Sequence, residues 1–123
     1  MINSRIKGFG HYLPKKILTN HDMSKIVDTN DEWILSRTGI SQRHIAEKNE
    51  LTSDLAIKAS KNALINSNLL SSDIDCIIVA TTTPDQTFPS TACKIQSCLA
   101  IGNKPAFDVQ AAVSYTHLTL PTN

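Results

Sequence analysis

Thr29, Trp33 and Arg37 follow one another at intervals of four within the stretch VDTNDEWILSRTGISQRHIA, Val27 to Ala46. If Asp31 to Arg37 is helical, positions i, i+4 and i+8 share one stripe, so a hydroxyl, a large flat ring and a fixed cation point the same way. That trio suits a nucleotide. The indole can stack on a purine, the guanidinium can meet phosphate or the ring face, and the hydroxyl can bond a base edge. A plainer assignment is a core tryptophan, a helix-capping threonine and a surface arginine, and on spacing alone it is the commoner one. Spacing leaves both open.

The other reactive residue types do not assemble into a site. Asp28, Asp31 and Glu32 have no histidine or further carboxylate at ligand spacing, and acids early in a helix oppose its dipole favourably, so no metal is expected. His11, His21, His44 and His117 are scattered, with no HExxH pattern, and read as surface or hydrogen-bonding histidines. Cys76, Cys93 and Cys98 are three, with no CxxC, which excludes a disulfide framework and fits a reducing compartment. All three are expected to be packed as small apolar side chains rather than used in chemistry.

Positioning the candidate stripe falls to an alternation of strands and helices. Ile2 to Phe9 suggests a short first strand ending in a glycine turn. Asn20 can cap a helix bearing Met23, Ile26 and Val27, and a second short helix covers Asp31 to Arg37 with Gly39 placed to end it. Thr52 or Ser53 opens a longer helix in which Leu55, Ala56, Ala59, Ala63 and Leu64 recur at helical spacing. Ile74 to Ala80 reads as a central strand buried on both faces. Pro89 suits the first turn of a helix whose stripe is Ala92, Ile95, Cys98 and Leu99 and which Gly102 ends. Ala106 to Val109 offers a last strand. The order is α/β, and crossovers long enough to hold helices imply a mainly parallel sheet with flanking helices.

Composition narrows the function classes. The chain has 123 residues, of which 41% are hydrophobic and 19% charged, with 4 Gly and 5 Pro, a globular rather than disordered or collagen-like balance. Twelve basic against eleven acidic side chains leave a net charge of +1, which gives no footprint for nucleic acid or a membrane surface. The longest apolar run is Ile77 to Ala80, far short of the roughly 20 residues that cross a bilayer. Met1 to Lys7 has polar residues where an export signal places its apolar segment, so a cytoplasmic location is expected.

Val27 to Ala46 closely resembles the β-ketoacyl-acyl carrier protein synthase III family, which starts bacterial fatty acid synthesis. The same order continues through Ile77 to Thr82 (IIVATT), Phe88 to Gln96 (FPSTACKIQ) and Pro105 to Ala112 (PAFDVQAA), so the resemblance covers residues 1–112 in register. It implies a thiolase-like fold, here incomplete because only about the first third of the family's length is present, and a homodimer in the full-length parent. It further implies that Thr29, Trp33 and Arg37 contact the coenzyme A nucleotide, which reverses the preference left by spacing. Phe88, which residue type alone would assign to simple packing, matches a phenylalanine that crosses the family's dimer interface and lines the partner's acyl pocket. The implied reaction condenses acetyl-coenzyme A with malonyl-acyl carrier protein, with coenzyme A thioester as substrate and no separate cofactor.

In the family, PAFDVQAA runs directly into a nucleophilic cysteine, at the start of a buried helix whose dipole favours thiolate. Here that position is Val113. Valine cannot hold an acyl group, so no catalytic residue is assigned, and the chain is expected to be inactive. The family's histidine and asparagine for the malonyl thioester belong to its second half. The tail, residues 113–123 (VSYTHLTLPTN), departs from the family abruptly, in mid-motif. It reads as foreign or frameshifted sequence joined to a genuine amino-terminal piece, rather than as the end of a native truncated homologue. A non-catalytic coenzyme A-binding or dimerising module is the rival reading, and a fragment that does not fold stably is a third. The chain is expected to take no label from radiolabelled acetyl-coenzyme A, and Val113→Cys alone should not restore turnover; labelled protein that survives denaturation would contradict this.

Overall fold

The structure, a computed structural model, describes residues 4–110, and Val113 with the rest of the divergent tail lies outside the described residues. The chain divides into two units, Leu13–Glu50 and the remaining residues.

In Leu13–Glu50, strand β1 (Lys16–Thr19) pairs antiparallel with β2 (Gln42–Ile45), placing Ile17 opposite His44 and Leu18 opposite Arg43. Between them lie α1 (Asn20–Met23) and α2 (Asp31–Thr38). The expected cap at Asn20 is corrected: Thr19 caps α1. Its hydroxyl accepts the Asp22 amide at 3.2 Å, while the Asp22 carboxylate accepts the Thr19 amide at 3.2 Å. The Thr19 hydroxyl bond, then Lys25 and the Thr19 amide, hold the Asp22 carboxyl down at about 2. Ile26 and Val27, expected on this helix, lie beyond it and are exposed. Asn30 starts α2 by accepting the Trp33 amide at 2.8 Å, and Gly39 ends it at φ 69. A Cβ at Gly39 would touch nothing within 4 Å, so the left-handed backbone alone calls for glycine there.

Asn20 is instead the buried junction of this unit, 1% exposed. Its Nδ2 donates to Asp31 Oδ1 at 2.7 Å and to the Ile40 carbonyl at 2.8 Å, and its Oδ1 accepts from Arg43 Nη2 at 2.7 Å. One amide thereby joins both helices, the segment after α2 and strand β2. A buried amide must fill these valences, since each left open costs about 1–3 kcal/mol.

In the other unit, α3 (Thr52–Ser67) and α4 (Thr91–Cys98) pack with the parallel pair β3 (Ile77–Ala80) and β4 (Ala106–Val109), whose register sets Ile77 opposite Ala106 and Ala80 opposite Val109. The α4 crossover supplies the length that a parallel connection needs. Ile95, Leu99 and Ile101 form the buried core, with Ala56, Ile57, Ile74, Ile77 and Val79 against it. The α/β reading thus holds, as two small sheets with flanking helices, an incomplete thiolase-like arrangement.

Several element expectations need correction. Residues 4–9 form no strand. The carbonyls of Phe9 and His11 accept the Asn66 and Asn62 amides of α3 instead, and a Cβ at Gly10 would fall inside the α3 backbone at Ala63 and Ala59. The expected central strand is shorter, beginning at Ile77, and Ile78 is 60% exposed rather than buried. Helix α3, by contrast, opens at Thr52 as expected, following Leu51, whose amide the Asp54 carboxylate accepts at 2.9 Å. Ser90, not Pro89, begins α4, and Asp108 of β4 accepts the Thr91 and Ala92 amides at 2.8 Å each. The helix ends at Leu99, before Gly102. Cys76 and Cys98 are exposed, not packed, and Cys93 is half-buried.

Asp85 ties the segment after β3 to both long helices: it accepts the Ser53 amide at 3.0 Å and Lys94 Nζ at 3.1 Å. Burial pushes its carboxyl up, but the Ser53 bonds and Lys94 outweigh this and hold it below the usual aspartate value. A lowered carboxyl means that the folded state binds protons less readily than the unfolded one. Its stabilisation is therefore complete above the ordinary value of 3.8 and is lost as pH falls through the folded value. Amide exchange in the first turns of α3 and α4, corrected for its intrinsic rate, should quicken on acidification below 3.8, and Asp85→Asn should flatten that dependence. Protection in the parent chain that stays unchanged with pH would contradict it.

Candidate functional site

The candidate stripe sits on a cleft of about 540 Å³ within the Leu13–Glu50 unit. Met23, Val27 and Ile34 give it apolar lining, Trp33 forms one wall, and Thr29, Asn30 and Arg43 supply polar groups, with Asp28 at its side. Helix α2 positions Trp33 in its first turn. Because the Asn30 side chain caps the Trp33 amide, the indole is fixed at the helix entry rather than within a packed face.

Trp33 is 57% exposed, so it is not a core tryptophan. Thr29 does not cap a helix either; it precedes the cap residue Asn30, and its Oγ1 is buried without a partner. The expectation of one helical stripe is corrected in two respects. Thr29 stands outside α2 and reaches the cleft from the preceding segment, and Arg37, exposed one turn after Trp33, does not line the cleft. Thr29 and Trp33 are brought together at the cleft; Arg37, one turn along α2 from Trp33, is not among its lining residues. Phe88, on the segment between β3 and α4 in the other unit, is 85% exposed, so its expected packing role is not what this chain displays.

Arg43 is the site residue that sequence reading missed. Its Nη2 is held by Asn20, while Nη1 is buried and has no partner among the described residues. It reaches the cleft from β2, through a hairpin register that no local signal near Trp33 reveals. A flat, accessible ring, two unpartnered polar atoms and an apolar lining can together hold an aromatic ring carrying hydrogen-bonding groups. Among the described residues, no three His, Cys, Asp or Glu side chains come together as metal ligands, and no helix is long and apolar enough to cross a membrane.

A second cavity of about 400 Å³ lies in the other unit, between residues 5–8 and the core around Ile95 and Leu99. Its lining is mainly aliphatic, with Arg5, Lys7, Ser60 and Ser67 as its polar part, and it has no aromatic side chain in its lining.

No protein-family model matches the chain. In three dimensions it is similar to the crystal structure of 3-oxoacyl-[acyl-carrier-protein] synthase III from Aquifex aeolicus VF5, with a TM-score of 0.83 and 50% identity, covering 89% of this chain and 35% of that one. It is also similar to the priming β-ketosynthase of the R1128 polyketide biosynthetic pathway, with a TM-score of 0.81 and 33% identity, covering 87% of this chain and 32% of that one. These likenesses define the class: the described residues are part of a thiolase-like α/β protein. In sequence the chain is 60% identical over 115 residues to the β-ketoacyl-[acyl-carrier-protein] synthase III of Thiobacillus denitrificans, covering 93% of this chain and 36% of that protein. It is similar in sequence to the amino-terminal portion of β-ketoacyl-[acyl-carrier-protein] synthase III proteins, and spans about a third of the length of the curated relatives it matches.

Because Trp33 is the chain's single tryptophan, its emission reports this cleft alone. It should be red-shifted and readily quenched by acrylamide. A blue-shifted emission shielded from acrylamide would place the ring in a core and contradict the exposed position.

Proposed function

We propose that the Trp33 cleft is the nucleotide-binding portion of a coenzyme A site belonging to a β-ketoacyl-acyl carrier protein synthase III. The observation that carries this reading is the exposed indole of Trp33 beside the unpartnered Thr29 hydroxyl, in a cleft whose shape and lining suit a purine. Adenine stacks on Trp33, Thr29 bonds a base edge, and Arg37, one turn further along α2, meets phosphate from the cleft's margin. In the whole synthase, acetyl-coenzyme A bound in this way delivers its acetyl group for condensation with malonyl-acyl carrier protein, the first condensation of fatty acid synthesis. Phe88, exposed on its loop, is the residue that a second copy of the synthase covers to form the homodimer, where it borders the acyl pocket. The enzyme works in the cytoplasm.

The chain as it stands has Val113 where the family carries its nucleophile, and the proposal includes its inactivity in acyl transfer. Binding and chemistry are separable here: the nucleotide contacts lie between Thr29 and Arg37, and the missing thiolate belongs more than seventy residues later. Coenzyme A affinity without transfer is the expected behaviour of this chain.

The test is a chimera in which residues 113–123 are replaced by a family carboxyl-terminal portion. Trp33→Ala should raise the KM for acetyl-coenzyme A by about 5- to 150-fold, since lost base stacking is worth roughly 1–3 kcal/mol. Maximal rate should change far less, because a contact remote from the reacting carbon binds ground and transition states alike. Acyl donors on pantetheine, which lacks the nucleotide, should be nearly indifferent. Equal losses with both donors, together with a lowered melting temperature, would show that Trp33 serves the fold instead.

A further inference from the structure

Arg43 is held and unpartnered at once. Asn20 Oδ1 accepts from its Nη2 at 2.7 Å, and Asn20 is itself immobilised by its bonds to Asp31 and Ile40, so the plane of the guanidinium is set. The remaining Nη1 is buried with no partner among the described residues, and so is Thr29 Oγ1; both residues line the Trp33 cleft. No carboxylate among the described residues pairs with Arg43. The acids nearest to it in this network are Asp31, separated from it by the Asn20 amide, and Asp28, exposed at the side of the cleft.

We propose that Arg43 is a ligand-binding residue of this cleft, its Nη1 donating to an anionic oxygen of a phosphorylated ligand. The chemistry selects an anion over a neutral acceptor. A guanidinium held by a neutral amide has no carboxylate to offset its charge, and a charge-assisted bond to phosphate is about twice as strong as a neutral one. The unfilled donor destabilises the empty cleft, which binding relieves. The position is also prearranged, because the Asn20 bonds leave the guanidinium little rotamer freedom to lose on binding. Arg37 lies on the exposed surface of α2 and does not compete for this position. This inference rests on the nucleotide reading of the cleft for the identity of the ring, but not for the anion.

The full chain is titrated with adenosine, with adenosine 3′,5′-bisphosphate and with inorganic pyrophosphate. Trp33 emission reports the first two, and phosphorus NMR line broadening reports the third. In the parent chain the bisphosphate should bind more tightly than adenosine, and pyrophosphate should broaden. Arg43→Gln should weaken the bisphosphate and pyrophosphate by about 10- to 100-fold, the range of one charged hydrogen bond, and leave adenosine unchanged. Arg43→Lys, which keeps the charge, should retain part of the pyrophosphate binding, and it decides the matter if circular dichroism shows that Arg43→Gln is unfolded. Adenosine and bisphosphate weakened equally in a folded Arg43→Gln would overturn the proposal and make Arg43 a support for Asn20, with the nucleotide reading intact. Quenching by neither nucleoside nor nucleotide, with pyrophosphate still bound in an Arg43-dependent way, would sustain the anion site and remove the nucleotide reading. Pyrophosphate binding that Arg43→Gln leaves untouched would overturn the proposal.

Discussion

The Asn20 side chain carries the Leu13–Glu50 unit. That unit has one buried large aliphatic residue, Ile34, and two four-residue strands, too little apolar burial to define a fold by area alone. Specificity comes from a buried amide with three side-chain bonds, each directed at a different element. Such a network tolerates one arrangement and penalises the others, since any slip in the β1–β2 register strands Arg43 or Asn20 without a partner. The orientation of α2 against β2 follows from it, and with that orientation the positions of Trp33 and Arg43 around one cleft.

The second unit is organised by a different device with the same logic. Two carboxylates, Asp85 and Asp108, reach across from other segments to the amides that open α3 and α4. Helix starts leave backbone donors unfilled, and an acid there satisfies both the hydrogen bond and the dipole. The aliphatic core of Ile95, Leu99 and Ile101 is then placed under β3 and β4 by helices whose first turns are fixed. The remaining faces are not covered among the described residues: Ile78 is 60% exposed and Phe107 46%.

Legibility in the sequence followed the strength of local signals. Helices α2 and α3 and strand β4 were readable because Gly39, the alanine and leucine spacing after Leu51, and the Ala106–Val109 run each act within a few residues. The β1–β2 hairpin was not readable: Lys16–Thr19 and Gln42–Ile45 are short, mixed in polarity and separated by two helices, so neither period nor turn chemistry marks them. Asn20 misled because a residue well suited to capping was recruited for long-range bonds, leaving Thr19 to cap. The glycines at positions 8 and 10 were read as a turn, whereas close approach to α3 requires Gly10. At the site, the residue types of Thr29 and Trp33 suited a nucleotide but left a packing role open, while Arg43 was hidden, since only the β1–β2 register brings it to the cleft that Trp33 lines. Cysteine burial was misjudged because strand and helix periodicity assigned Cys76 and Cys98 to faces that the described residues leave open.

The central claim is that Trp33 faces the base of a coenzyme A nucleotide rather than its acyl-bearing arm. Saturation-transfer NMR on the full chain with coenzyme A measures this directly, because saturation passes from protein to the ligand protons nearest to it. The account predicts that the adenine protons receive the largest transfer, that the pantetheine protons receive little, and that Trp33→Ala abolishes the adenine signal. Transfer concentrated on the pantetheine arm, or adenine transfer that survives the loss of Trp33, would contradict it.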